Sequence, residues 1–244
     1  MQITVLSHVK EVQSQLINDQ TVIVIDVLRA TSNMITALTH GCKEIIPLES
    51  IEAAQRLQTT GDLLGGERNC CKLPHFNFGN SPFEYMTPLV KNKRILMATT
   101  NGTRIIKHVN QAKHILAGAF LNAKACARTA LELNENITIL CAGTNDIFSW
   151  EDGLCAGLIV HELQLSTNHS LQVNDLGLCM LSSYLSVQSK LLQTLLQCSN
   201  GKRLRFLGFE SDITYCAKVN TTDMVPSLAG ETLIPHRSKN VCPS

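Results

Sequence analysis

Asp26 closes an apolar run, Val22-Ile23-Val24-Ile25, and is followed three residues later by Arg29 and then by Ala30, Thr31 and Ser32. A carboxylate and a guanidinium at this spacing, just past a buried strand, suit a metal ion together with an anionic substrate. Three further segments share the plan: Gly65-Gly66-Glu67-Arg68-Asn69, Thr99-Thr100-Asn101-Gly102-Thr103-Arg104, and Cys141-Ala142-Gly143-Thr144 running on to Glu151-Asp152. Gathered at one rim of a parallel sheet, they would assemble four carboxylates (Asp26, Glu67, Glu151, Asp152) and three arginines (Arg29, Arg68, Arg104). Clustered carboxylates repel one another and need a cation or protons to coexist. Oxygen-only ligands suit Mg²⁺ better than zinc or copper. Guanidinium forks match phosphate, sulfonate or carboxylate oxygens. A metal with arginines around a transferring phosphoryl group is a recurrent electrostatic solution.

Each piece also has a plainer reading. Asp26 would serve as a helix cap, Glu67-Arg68 as a surface pair, Thr99 to Thr103 as a turn built on Asn-Gly, and Glu151-Asp152 as a complement to a helix dipole. Recurrence after four strands favours one shared site over four accidents. Gly-x-x-x-x-Gly-Lys-Ser/Thr, Gly-x-Gly-x-x-Gly and Gly-x-Ser-x-Gly are absent, which removes the usual support for P-loop, dinucleotide and hydrolase-elbow chemistry. The eight histidines show no metal-ligand spacing.

The elements that must position these residues alternate. Strands are predicted over 22–27, 44–48, 62–66, 94–98, 114–117 and 137–142. Helices are predicted over 31–40, with Thr31 or Ser32 as N-cap, and over 50–58, 102–108, 123–133 and 151–165. Residues 67–82 read as one long loop, a feature that is often functional. After about residue 170 only helices are predicted (174–189, 190–198, 201–207, 212–216), with a last strand over 225–234. Such alternation implies an α/β fold on a mainly parallel sheet, with a helical C-terminal part. One domain over 1–235 is expected, with a flexible tail over 236–244.

Composition narrows the classes. With 244 residues, 44% hydrophobic, the chain can bury a large core. A net charge of +1 and 5% aromatics argue against nucleic acid as a partner. No apolar stretch reaches the roughly 20 residues of a membrane helix, so no membrane partner is expected. The ten cysteines lack any Cys-x-x-Cys pair and read as reduced, mostly buried thiols of a cytoplasmic protein. Apolar segments such as 177–185 and 191–196 fit either core or a homo-oligomer interface.

The same segments, in order, resemble the 2-phosphosulfolactate phosphatase (ComB-like) family. They are Val24 to Ser32, Gly66-Glu67-Arg68, Phe78-Gly79-Asn80-Ser81-Pro82, Thr99 to Arg104, and Cys141-Ala142-Gly143 with Glu151-Asp152 and Cys155-Ala156-Gly157. Leu207-Gly208-Phe209-Glu210 with Asp212, and Asp223 to Pro226, extend the likeness, which covers residues 2 to 235. The resemblance implies a three-layer α/β/α fold with a mainly parallel or mixed sheet. It also implies Mg²⁺-dependent hydrolysis of (2R)-2-phospho-3-sulfolactate to (2R)-3-sulfolactate and phosphate, a step that leads toward coenzyme M in methanogens. On that basis Asp26, Glu67, Glu151 and Asp152 would face the metal, and Asp26, Glu67 and Arg29 would carry the chemistry. Arg29, Thr31, Arg68, Asn80, Ser81, Asn101, Gly102, Thr103 and Arg104 would bind the small anionic phosphorylated substrate. A carboxylate acting as base for water and a carboxylate acting as nucleophile both remain open. Alternatives are a phosphatase of another small 2-phospho acid and a non-catalytic sensor of an anionic metabolite. One departure stands out: Asn77 occupies a position that is usually acidic in the family.

Overall fold

The computed structural model describes residues 1–13, 17–68, 70–99, 102–145, 147–167 and 171–236. Its sheet is built of β1 (Gln2–Leu6), β2 (Thr21–Ile25), β3 (Glu44–Leu48), β4 (Leu63–Arg68), β5 (Cys71–Lys72), β6 (Arg94–Ala98), β7 (His114–Gly118), β8 (Ile137–Cys141), β9 (Gln172–Val173), β10 (Pro226–Ala229) and β11 (Thr232–Pro235). They lie in the order β5-β4-β6-β3-β11-β10-β7-β2-β8-β1-β9. β2 owes its central place to its residues: all five are buried. Ile23 and Ile25 pack into one apolar cluster, while Val22 and Val24 pack into another on the opposite face. Helices cover both faces, which gives three layers, α/β/α.

Those helices are α1 (Ala30–Thr39), α2 (Ile51–Leu57), α3 (Gly102–His108), α4 (Ala123–Glu132), α5 (Trp150–Ser166), α6 (Asp175–Val187), α7 (Leu191–Gln197), α8 (Ser199–Phe206) and α9 (Glu210–Cys216). Ser50 caps α2 by accepting the Ala53 N–H. Helix α5 is apolar on nearly every side, as a helix sunk into a core must be. Its Gly157 lies so near the Met180 carbonyl of α6 that a Cβ there would stand 2.1 Å from that oxygen.

The sheet departs from expectation in four ways, the first being that Cys71–Lys72, within the stretch read as one loop, pairs with β4. Residues 2–6 form an unpredicted strand that pairs with β8, and Gln172–Val173 adds a further strand beyond it. Pro226 to Pro235 forms two strands joined as a hairpin rather than one. The hairpin is antiparallel to β7 on one side and to β3 on the other. Two parallel blocks, β4-β6-β3 and β7-β2-β8-β1, therefore run in nominally opposite senses. Sheet twist accumulates at about 20° per step, roughly 100° over the five steps from β6 to β2. Residues at the exits of β2 and β8 from one block and of β4 and β6 from the other nevertheless line one cleft.

Helix α1 begins one residue earlier than predicted. Thr31 and Ser32 lie inside the helix, and Arg29 holds the N-cap position. The Thr31 hydroxyl donates to the Asp26 carbonyl and accepts the Asp26 N–H, while the Ser32 hydroxyl donates to the Val27 carbonyl. These bonds fold the strand exit tightly back on the helix start. The expected tail falls, from residue 237 on, outside the described residues. Among the described residues no helix is long and apolar enough to cross a membrane.

Candidate active site

The cleft holds a cavity of about 190 Å³ lined by Asp26, Leu28, Arg29, Glu67, Cys70, Asn80, Thr99, Thr144, Asn145, Asn200, Arg203 and Leu204. All four strand-exit loops reach it, from β2, β4, β6 and β8. A second cavity, about 230 Å³, adjoins it through Glu67 and Thr99 and contains Arg68 with Glu49 and Glu52. A third, about 470 Å³, adjoins it through Thr144, Asn145, Asn200 and Arg203 and contains Glu151, Cys198 and Trp150.

Asp26 sits in this wall, 8% exposed. One of its carboxylate oxygens accepts the Ala30 N–H at the start of α1, so the capping role and a place in the cleft coincide. Burial raises its pKa from 3.8 to about 7; the charges of Glu151 and Glu67 push the same way, against the Ala30 N–H and Arg29. Glu67 accepts the Cys70 N–H at 2.6 Å. Its loop turns on Gly66, whose φ is +149° and whose added Cβ would fall 2.0 Å from the Ala98 carbonyl oxygen. Strand β4 can come this close to β6 only with hydrogen at that position.

Arg29 is buried and pairs with Asp212 of α9. Its guanidinium also lies 4.4 Å from the centre of the Phe209 ring. Asp212 accepts the Ser81 hydroxyl at 2.8 Å as well. The arginine is therefore held from behind by α9 and the 78–82 segment, with its remaining surface on the cavity. Asn80 lines the cavity and accepts from Asn33 Nδ2 at 2.5 Å. Ser81 lies behind it as a tether.

Asp152 is differently engaged. Its two oxygens accept the Val27 N–H at 2.9 Å and the Gly143 N–H at 3.1 Å. It clips the exit of β2 to the exit of β8. Burial drives its pKa well above the carboxylate range, reinforced by Glu151 and Asp26. Glu151, 2% exposed, lines the third cavity together with Cys198, whose thiol is pushed up to about 12 chiefly by burial and next by the Glu151 charge. Thr103 is fully buried: it donates its hydroxyl to the Thr99 carbonyl, and its N–H reaches the Thr99 hydroxyl. Thr99, not Thr103, faces the cavity. Gly102 opens α3. Arg104 is exposed and is not among the described lining residues. Asn101 lies outside the described residues. Asn77, at the position that departs from the family pattern, accepts the Leu64 N–H through Oδ1 at 2.8 Å. That is a bond an aspartate would make equally well.

Asn200, Arg203 and Leu204 of α8, and Thr144 and Asn145, are lining residues that the candidate set lacks. No strand-to-loop signal precedes α8. Only the spacing of Asn200, Arg203 and Leu204 on one helical face hints at a shared direction.

Carboxylates facing arginines across a small polar cleft are the equipment of enzymes that hydrolyse phosphoric monoesters, where charge must be both neutralised and oriented. The 2-phosphosulpholactate phosphatase family model matches residues 6–231. A probable 2-phosphosulfolactate phosphatase of Clostridium novyi is 36% identical over 230 residues, covering 93% of this chain and 96% of that protein. Another from Caldicellulosiruptor saccharolyticus is 38% identical over 232 residues, with 92% and 96% covered. A third, from Caldanaerobacter subterraneus, is 39% identical over 216 residues, with 87% and 89% covered. The chain belongs to the 2-phosphosulfolactate phosphatase family.

Proposed function

We propose that this protein is a Mg²⁺-dependent phosphatase that converts (2R)-2-phospho-3-sulfolactate and water into (2R)-3-sulfolactate and phosphate. The observation that carries the reading is Asp26, buried at the exit of β2, sharing one cavity with Glu67 and with an arginine fixed from behind by Asp212.

The donor set suits the ion. Among the described residues no three acidic, histidine or cysteine side chains stand together as a cage. Mg²⁺ does not ask for one: it keeps several waters and takes one or two carboxylates plus substrate phosphate. Asp26 and Glu67 offer those carboxylates on one cavity wall. The mutual charge that raises the Asp26 pKa is relieved by a cation. The ion would neutralise phosphate charge and lower the pKa of bound water. Glu151 and Asp152 would act at one remove, through the negative field around Asp26 and through the clip on Val27 and Gly143.

The chain's own residues do the rest. Arg29 holds a phosphate oxygen, its orientation set by Asp212 and Phe209. Asp26 accepts the proton of a water that attacks phosphorus as the ester P–O bond breaks. The departing alkoxide then takes a proton from solvent. A buried carboxylate in one cavity with the phosphate-holding arginine is placed for general-base work. Thr99 and Asn80 offer a hydroxyl and an amide to the bound anion. A cytoplasmic location belongs to this reading, supported by free thiols at all nine described cysteines.

Phosphate release from phosphosulfolactate, 2-phospholactate and 2-phosphoglycolate, each with Mg²⁺ and with chelator, tests it. Chelator-sensitive turnover that prefers the sulfonate is expected. Absence of turnover by folded, Mg²⁺-loaded protein would favour the sensor.

A further inference from the structure

We propose that Arg203, with Asn200, Thr144 and Asn145, forms the subsite for the sulfonate of the substrate. The assignment deepens the reading above and rests on it.

Glu67 and Thr99 line the central cavity and the second; Thr144, Asn145, Asn200 and Arg203 line the central cavity and the third. Arg203 therefore enters the central cavity with a set of hydroxyl and amide side chains distinct from the Glu67 and Thr99 pair. A phosphate dianion, which Mg²⁺ recruits strongly, belongs beside Asp26 and Glu67. A sulfonate is a very weak base and a poor ligand for a hard cation. It gains most from a guanidinium, hydroxyls and amide N–H groups.

The two cavity arginines differ in a telling way. The charge of Arg29 is already met by Asp212. The Arg203 side chain has no ion pair or hydrogen bond among the described residues, although it is exposed on the wall of a substrate-sized cavity. Its helix is fixed where it is needed: Asn200 Nδ2 donates to the Leu28 carbonyl at 3.0 Å, next to Arg29. Phosphate and sulfonate thus meet separate cations, one rigid and one unpaired until substrate arrives.

The test compares kcat/KM for phosphosulfolactate with that for 2-phospholactate, which carries a methyl group in place of the sulfonatomethyl group. Arg203→Gln should lower the ratio of the two by roughly 10- to 100-fold, the worth of a hydrogen bond to a charged group. Arg203→Lys should restore part of it. Arg205→Gln, on the same helix but paired with Glu210, controls for surface charge and should leave the ratio unchanged. Equal losses on both substrates, or an unchanged ratio in Arg203→Gln, would overturn the assignment. Should the wild-type protein hydrolyse neither compound, the proposed function falls separately. Calorimetry with 3-sulfolactate against lactate then decides the subsite. Selective sulfolactate binding that Arg203→Gln abolishes upholds it, and lack of selectivity in the wild type overturns it.

Discussion

Arg29 and Asp212, 183 residues apart in sequence, form an ion pair whose side chains are 1% and 2% exposed. The pair joins the exit of β2 to α9 and leaves a guanidinium facing the cleft with its charge already balanced. Removing one partner from such a pair strands a buried charge. Asp212→Ala should cost about 3–5 kcal/mol in urea unfolding and abolish measurable turnover. The double variant Arg29→Met/Asp212→Leu should regain much of that stability while staying inactive. A double variant less stable than Asp212→Ala would contradict this account.

Asp26 makes the site costly to keep. Its pKa is 3.8 when unperturbed and about 7 in the folded chain. The folded state therefore binds the proton more tightly. The resulting stability is fully present below about pH 4 and is lost as pH rises through about 7. In metal-free protein Asp26→Asn should melt higher than wild type at pH 8, by an amount on the order of a few kcal/mol. The difference should vanish toward pH 4. Turnover of the same variant should fall by about 100-fold or more, the usual contribution of a general base. Melting curves that superimpose at pH 8 would show that Asp26 carries no such burden.

If Asp26 and Glu67 hold Mg²⁺, the ion should compete with the proton on Asp26. Adding Mg²⁺ to chelated protein should raise the melting temperature, more at pH 8 than at pH 5. Both Asp26→Asn and Glu67→Gln should flatten the response, whereas Arg104→Gln should keep it. An undiminished shift in Asp26→Asn would move the ion elsewhere.

The close approach at Gly66 sets the position of Glu67. Gly66→Ala forces a Cβ against the Ala98 carbonyl at a φ that disfavours side chains. It should destabilise the fold by more than about 2 kcal/mol and weaken the Mg²⁺-induced shift in parallel. Wild-type stability and turnover together would show that β4 yields without moving Glu67.

Sequence pattern disclosed most strands, because β2, β6 and β8 are runs of apolar residues buried on both faces. Strand β1 escaped. Its Ile3 and Val5 are buried but alternate with Gln2 and Thr4, and five residues carry little periodic signal. The four loops declared themselves by polar residues directly after such runs, and all four do reach the cleft. Arg68 and Arg104 carried the same signal yet do not line the central cavity: Arg68 follows Glu67 along β4, where successive side chains point to opposite faces, and Arg104 is exposed on α3. Arg203 was illegible for the opposite reason. Its place depends on how α8 packs against the Leu28 carbonyl, a tertiary contact with no local trace. Asp212 stood among the residues of the family resemblance, but its bond to Arg29 needed the fold.

The hairpin of β10 and β11 holds the seam between the two blocks, and it is encoded at residues 226–235. On the ribosome, every cleft residue named above leaves the exit tunnel before the element that joins the halves. A nascent chain paused short of residue 226 would carry the full complement of carboxylates and arginines on two unjoined half-sheets with open edges. Removing residues 226–235 would take the two blocks apart at their shared seam without removing one residue of the cleft.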